Sequence, residues 1–495
     1  MIELRNVSFR YGQAEKDTRG VDAVNLVIES GRFVVLCGKS GCGKTTLTRL
    51  INGLIPHFFE GVMDGAVFID GNEIGKQSLA KTAHIVGSVF QNPRSQFFNV
   101  DTTSELAFGC ENLGVPKDEI LKRIDKARAL FGLDDLLDRG IFELSSGEKQ
   151  RIACASVYAA GPDVFVLDEP SSNLDAHSVE MMRRVLEQLK AAGKTIVVSE
   201  HRLYYLSDLA DRFIYLEDGR IAAEYTPGGL RAMKSETLER LGLRCPDVQK
   251  LTRNLVPAAP PRRKGETVEL TNLRYRYGRN TALDIPSLSL RRGEITAVIG
   301  PNGAGKSTFA GCFCGILKHR GTVSLNGKAL GRNERIRKSY MVMQDVNHQL
   351  FTESVLDELT LNIPEDRKAG AAAILESMGL GAFADTHPLA LSGGQKQRVA
   401  VAGAVSAGKE LLVYDEPTSG QDYQSMIATC DLIRKAAEKA ILSLVITHDI
   451  EFILNCCASV LHLERGTVNA YYPLDEAGSE KIKLFADFGS DRHPG

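Results

Sequence analysis

The sequence predicts an α/β protein made of two tandem copies of one parallel-sheet domain. Three observations carry this. A glycine loop of the form G-x-x-x-x-G-K-[ST] occurs twice, at 38–45 and at 300–307. Each loop follows a short apolar run, 32–37 in the first copy. Each is then followed, in the same order, by an apolar run ending in an Asp-Glu pair and another ending just before a histidine. Apolar runs flanked by helical stretches suit a parallel sheet covered on both faces, with its functional residues at the carboxyl ends of the strands.

The elements follow in chain order. Residues 7–12 match 273–278, which opens each copy. The run 32–37 predicts a strand and 45–54 a helix. The runs 164–167 and 411–414 predict buried strands ending at Asp168-Glu169 and Asp415-Glu416. The runs 195–199 and 444–447 predict the strands before His201 and His448. The copies differ near 55–63, which has no counterpart between 316 and 321. A unit this long fits domain duplication rather than a solenoid repeat. Between the copies, 256–265 is rich in proline, which favours an extended spacer over a helix. The expected organisation is therefore a first domain at 1–226, an extension and linker at 227–266, a second domain at 267–472 and a tail at 473–495.

Bulk properties narrow the classes. With 495 residues and 43% hydrophobic content the chain can bury ordinary globular cores. A formal net charge of -2 argues against a broad basic face, so no nucleic-acid partner is expected. No run of about 18 apolar residues appears, and the first residues lack a signal-peptide pattern. The ten cysteines show no CxxC pair, which fits reduced packing thiols. Cys42 differs because it lies inside a glycine loop, where a thiol reagent is expected to block binding.

The motif residues define a phosphate chemistry. Backbone N–H groups must turn inward around phosphate oxygens, hence Gly38, Gly41, Gly43 and Gly300, Gly303, Gly305. The rest of each loop is Lys39, Ser40 and Cys42, or Pro301, Asn302 and Ala304, with Thr46 and Thr308 following. Lys44 and Lys306 would reach the β- and γ-phosphates, and Thr45 and Ser307 would offer a hydroxyl to Mg²⁺. Asp168 and Asp415 can hold Mg²⁺ through water, and Glu169 and Glu416 can orient or deprotonate an attacking water. His201 and His448 can hydrogen-bond the γ-phosphate or steady the glutamate. A lone histidine would read as a packing residue, and a lone Asp-Glu as a solvated strand end. Leu144-Ser145-Ser146-Gly147-Glu148 and Leu391-Ser392-Gly393-Gly394-Gln395 place Ser and Gly at a helix start, where Ser is also an ordinary N-cap.

With these strings the chain resembles the ATP-binding-cassette (ABC) superfamily, whose signature is L-S-G-G-Q. The resemblance covers nearly the whole chain. It implies a P-loop NTPase core with an antiparallel β subdomain and a helical subdomain, and ATP and Mg²⁺ as cofactors. It implies that each loop pairs with the opposite signature, so that Lys44 faces ATP with Ser392 and Lys306 faces ATP with Ser145. Gly147 and Gly394 belong to those signatures. Gln91 and Gln344 match the family's Mg²⁺-sensing glutamine, and Tyr11 and Tyr277 its adenine-stacking aromatic. Residues 172–175 and 419–422 match the loop coupling the two sites. Ser146, Glu148 and Gln421 depart from the pattern without removing a catalytic group.

Finer strings are similar to the energy-coupling-factor importers: 90–98 with 105–109 and 111–114, 343–345 with 349–359, and 51–57. That resemblance implies an ATP-hydrolysing motor at the cytoplasmic face of the membrane. Its partners would be an integral membrane scaffold and a small substrate-capture membrane subunit for a vitamin, metal ion or similar solute. Phe97, Phe98, Leu350 and Phe351 are candidate apolar contacts, and Glu105 and Glu358 candidate partners for scaffold arginines. The alternatives are a tandem ATPase of a sugar importer and a soluble cassette protein acting on ribosomes or nucleic acid. The short proline-rich linker and the lack of cysteine clusters count against the last.

Overall fold

A computed structural model describes residues 1–12, 19–172, 174–251, 267–361, 363–438 and 440–486. The chain forms two compact units, Met1–Asp247 and Val248–Gly495. The proline-rich stretch 256–265 lies outside the described residues.

Each unit holds the same two sheets. In the first, a four-stranded antiparallel sheet runs in the order Arg19–Ile28, Ile2–Tyr11, Gly61–Ile69, Asn72–Glu73. A six-stranded sheet runs in the order Arg220–Tyr225, Arg212–Glu217, Phe33–Gly38, Thr195–Ser199, Val164–Asp168, Val86–Val89. Its first pairing is antiparallel and the rest are parallel. The second unit repeats this with Thr467–Pro473, Ser459–Glu464, Ile295–Ile299, Leu442–Ile446, Leu411–Asp415 and Ser339–Val342.

The continuous apolar runs are explained by burial on both faces. Along Phe33–Gly38, Phe33, Val35 and Cys37 enter one core, while Val34 and Leu36 enter the other. Val164–Asp168 splits the same way, with Phe165 and Leu167 opposite Val164 and Val166. This is the period-2 alternation of a strand, with both faces apolar. One core packs against the helical layer, and the other against the antiparallel sheet and the helix Lys44–Ile51.

Local chemistry sets the element ends. The helix expected over 45–54 runs Lys44–Ile51. Asn52 closes it, its side chain accepts from the Leu54 N–H, and Gly53 turns the chain at φ 77°. The strand expected over 444–447 is Leu442–Ile446, with Thr447 just past its end. The helices Pro227–Arg231 and Ser235–Leu241 pack onto the first unit through buried Leu230 and Leu238. The helix Glu476–Ala486 packs onto the second, burying Ile482. Residues 227–247 thus pack on the first unit and the helix Glu476–Ala486 on the second.

The ten cysteines are free, and all but Cys245 are buried. Cys42 turns inward, its sulfur 3.8 Å from Lys44 Nζ. The expected reaction of Cys42 with a thiol reagent meets this burial. We predict that Cys42 is modified by maleimide at least tenfold more slowly in the folded chain than in urea, with rates read by mass spectrometry.

Candidate functional site

Each candidate site gathers at the carboxyl ends of three adjacent strands. The glycine loops adopt matching backbone conformations, with φ of 144°, 79° and 104° at Gly38, Gly41 and Gly43, and 146°, 80° and 94° at Gly300, Gly303 and Gly305. A Cβ at Gly38 would lie 2.3 Å from the Leu216 carbonyl oxygen, and one at Gly300 2.1 Å from that of Leu463. Glycine is therefore required sterically and conformationally. Beyond each loop the helix begins at the lysine itself, Lys44–Ile51 and Lys306–Cys314. Its positive dipole end faces the loop.

Both lysines are buried and bridge their own loops. Lys44 Nζ donates to the carbonyls of Gly38 and Lys39 at 3.0 Å each. Lys306 Nζ donates to those of Gly300 at 2.6 Å and Pro301 at 3.0 Å. The metal-site pairs also meet. Thr45 Oγ1 donates to Asp168 at 3.3 Å, and Ser307 Oγ donates to Asp415 at 2.9 Å. A hydroxyl against a carboxylate beside inward-turned N–H groups is the donor set a magnesium-bound triphosphate requires, so the residues fit both cofactors.

Burial, and then the neighbouring Glu169, pushes the Asp168 carboxyl up to about 6. Burial likewise raises Asp415, opposed by the Ser307 hydroxyl and Lys306.

Glu169 and Glu416 sit in left-handed backbone at φ 45° and 50°, a strained region for a residue with a side chain. Their N–H groups donate to Ser199 and Ile446 carbonyls at 2.8 and 2.9 Å, which hold the turn. Each carboxylate meets its histidine: His201 Nε2 to Glu169 at 3.5 Å and His448 Nε2 to Glu416 at 3.7 Å. Gln91 Nε2 donates to Glu169 at 2.6 Å. Gln344 is exposed on the matching loop.

Ser145 and Ser392 cap fifteen-residue helices, Ser146–Ala160 and Gly393–Ala407, with complete capping boxes. Their oxygens accept from Glu148 N and Gln395 N at 3.3 and 3.4 Å. Glu148 fills the role of Gln395 and also takes Arg139 at 3.2 Å. Gly147 leaves no room for a side chain, since a Cβ would lie 2.1 Å from Ser178 Oγ, whereas one at Gly394 would make only ordinary contact. Gln421 is buried. Its amide donates to the Pro417 carbonyl and accepts from Thr429, both at 3.0 Å, which explains how a polar residue stands there.

The aromatic candidates differ. Tyr11 OH lies 3.2 Å from Thr46 Oγ1 and accepts from Arg49 at 3.1 Å. Arg49 also sits 3.9 Å above the Phe59 ring, and Phe59 meets Tyr11 edge-on. Phe59 belongs to the stretch that only the first copy has. Tyr277 is 56% exposed, edge-on to Tyr275. Asn173, in the first coupling loop, lies outside the described residues.

Glu105 and Glu358, the candidates for pairing with scaffold arginines, have structural roles in their own domains. Both are buried and hold their own loops. Glu105 accepts from Phe98 N, Asn99 N and Asn99 Nδ2 at 2.9–3.1 Å. Glu358 accepts from Phe351 N, Thr352 N and Thr352 Oγ1 at 2.8–3.2 Å. Leu350 is buried and Phe97 half-buried. Phe98 and Phe351, by contrast, are 74% and 71% exposed.

Three contributors escaped the sequence reading. Glu200, Tyr205 and Thr447 brace the histidine loops. Setting Ser199-Glu200-His201 beside Ile446-Thr447-His448 would have flagged the position, because the residue types differ there.

The chain matches known proteins over most of its length. The ABC transporter family model matches residues 21–172 and 283–419. An ABC transporter ATP-binding protein of Treponema denticola, provisionally so named, is 46% identical over 94% of this chain and 96% of its own. A Bacillus subtilis protein with the provisional name HMP/thiamine import ATP-binding protein YkoD is 32% identical over 94% of this chain and 90% of its own. Among solved structures, ribosome-bound archaeal ABCE1 with Pelota superposes at TM-score 0.70. It covers 97% of this chain and 80% of that one at 23% identity, a likeness of fold. The chain belongs to the ABC transporter ATP-binding family, with two tandem ATPase domains that use ATP and Mg²⁺.

Two outcomes follow from the site geometry. Because burial holds the folded Asp168 carboxyl at about 6, above the ordinary carboxylate range, its ionisation opposes folding above about pH 6 and not below about pH 4. That is roughly 3 kcal/mol. D168N should therefore raise the melting temperature of the nucleotide-free chain in EDTA at pH 8, with the gain vanishing near pH 4. E105A leaves two loop N–H groups unanswered and should lower stability by about 2 kcal/mol in urea unfolding, with faster proteolysis at 97–99.

Proposed function

We propose that the chain is the ATP-hydrolysing motor subunit of an energy-coupling-factor-type importer. On this reading it works at the cytoplasmic face of the membrane under an integral scaffold. A small capture subunit selects a vitamin, metal ion or similar solute. The observation that carries it is the duplicated loop that follows each glutamine, at 91–105 and 344–358. In both domains a buried glutamate ties the loop down through backbone N–H groups, and an aromatic at its tip, Phe98 or Phe351, stays exposed. Phe142 and Leu389, also exposed, add apolar surface in the short turns Ile141–Glu143 and Pro388–Ala390 that precede the two signatures. Two matching apolar tips suit a partner with two matching apolar helices. The likeness to YkoD over nearly its full length supports an import role.

Bound MgATP would supply a γ-phosphate whose charge is partly neutralised by the metal. Lys44 and Lys306 would exchange their carbonyl partners for phosphate oxygens. Thr45 with Asp168, and Ser307 with Asp415, would hold the ion. Glu169 and Glu416 would take the proton of the attacking water, each kept in place by its histidine. Ser145 and Ser392 accept through oxygen in their caps, which leaves each hydroxyl proton available to the γ-phosphate of the opposite domain's site, in the head-to-tail pairing of the family. The closed state would be selected by ATP and released by hydrolysis.

E169Q and E416Q should each lower steady-state ATPase at least tenfold while retaining ATP binding; wild-type turnover in either would remove that glutamate from the mechanism. F98S/F351S should retain ATPase in detergent yet lose co-purification with membrane subunits. Undiminished assembly, or co-sedimentation of the wild-type chain with ribosomes in place of membranes, would overturn the importer reading.

A further inference from the structure

We propose that Thr447 is a positioning residue for hydrolysis in the second domain, and that the first domain positions its glutamate by another route. The inference rests on the reading of Glu416 as the base. Thr447 is fully buried at the end of the strand Leu442–Ile446. Its hydroxyl donates to Glu416 Oε2 at 3.2 Å and accepts from Asp449 N at 3.1 Å. Asp449 in turn accepts from Thr418 Oγ1 at 2.8 Å, two residues past Glu416. His448 Nε2 approaches the other oxygen, Oε1. The two carboxylate oxygens of Glu416 thus face different partners, which fixes the plane of the group.

The matching position in the first domain is Glu200, which cannot donate to a carboxylate when ionised. It does a different job. Its own carboxylate accepts from His201 N at 2.7 Å, Arg202 N at 3.1 Å, Ser171 N at 3.3 Å and Tyr205 OH at 2.8 Å. It ties the histidine loop to the stretch just past Glu169. The bond to Glu169 Oε2 comes instead from Gln91, five residues before Gln96, whose side chain accepts from the Phe90 N–H, and on the loop that leads to the exposed tip at Phe98. The first base is therefore oriented from the loop that carries the docking aromatic. The second is oriented from the core of its own sheet.

The test compares T447V, T447S and E416Q in the full-length chain by steady-state ATPase. Valine keeps the shape and removes the hydroxyl. T447V should lower kcat about tenfold with KM for ATP within about twofold, the effect of one lost hydrogen bond to the reacting group. T447S should restore kcat to within about twofold of wild type. T447V at wild-type kcat beside an impaired E416Q would overturn the proposal. So would equal losses in T447V and T447S, or a rise in KM with kcat intact, because those outcomes describe a packing role. Wild-type turnover in E416Q would instead refute the base reading on which the proposal rests. Should T447V fail to fold, T447A is read by the same criteria.

Discussion

Everything at these sites depends on bringing a carboxylate to a loop hydroxyl across the middle of a parallel sheet. Asp168 ends a strand separated by Thr195–Ser199 from Phe33–Gly38, whose following loop and helix carry Thr45; Asp415 is separated by Leu442–Ile446 from Ile295–Ile299, which leads to Ser307 in the same way. Strand order and register place these residues within hydrogen-bond reach, and the sheet is buried on both faces to keep them there. The resulting desolvation holds Asp168 at about 6. The folded chain thus keeps an unfavourable charge ready for a cation, a form of preorganisation.

The duplication acts as an internal control. Where the copies agree, the chemistry is constrained: loop φ values, lysine bridges, hydroxyl–carboxylate pairs, strained glutamates, capping boxes. Where they differ, the difference has a physical account. Glu148 caps as well as Gln395 does. Gln421 is satisfied by Pro417 and Thr429. The stretch after Gly53 brings Phe59 against Tyr11 and Arg49, and Tyr277, in the copy that lacks it, is exposed. Glu200 and Thr447 both accept from backbone N–H groups of their histidine loops, but only Thr447 also donates to its glutamate. The two sites are alike in phosphate handling and unlike in what steadies the glutamate.

Much of this was legible in the sequence. The parallel sheet showed as apolar runs, and the loops, acidic pairs and histidines as fixed strings, because their spacing reflects strand ends and helix starts. The role of Glu105 was not legible. A glutamate four residues past Asp101 looks solvated in the sequence, and only the fold reveals that Phe98 and Asn99 turn their N–H groups onto it. Thr447 was hidden for the same reason, since its partner Glu416 lies just past the end of the neighbouring strand. The inward turn of Cys42 depends on Gly38 and Lys44 packing over it. Contacts between strands are tertiary facts that local pattern does not carry.

The most direct test of the central claim is the stoichiometry of MgATP bound by the E169Q/E416Q chain in equilibrium dialysis. The account predicts two nucleotides per chain, with K44A and K306A each removing one and EDTA weakening both. One nucleotide per chain, or two that survive loss of either lysine, would contradict it.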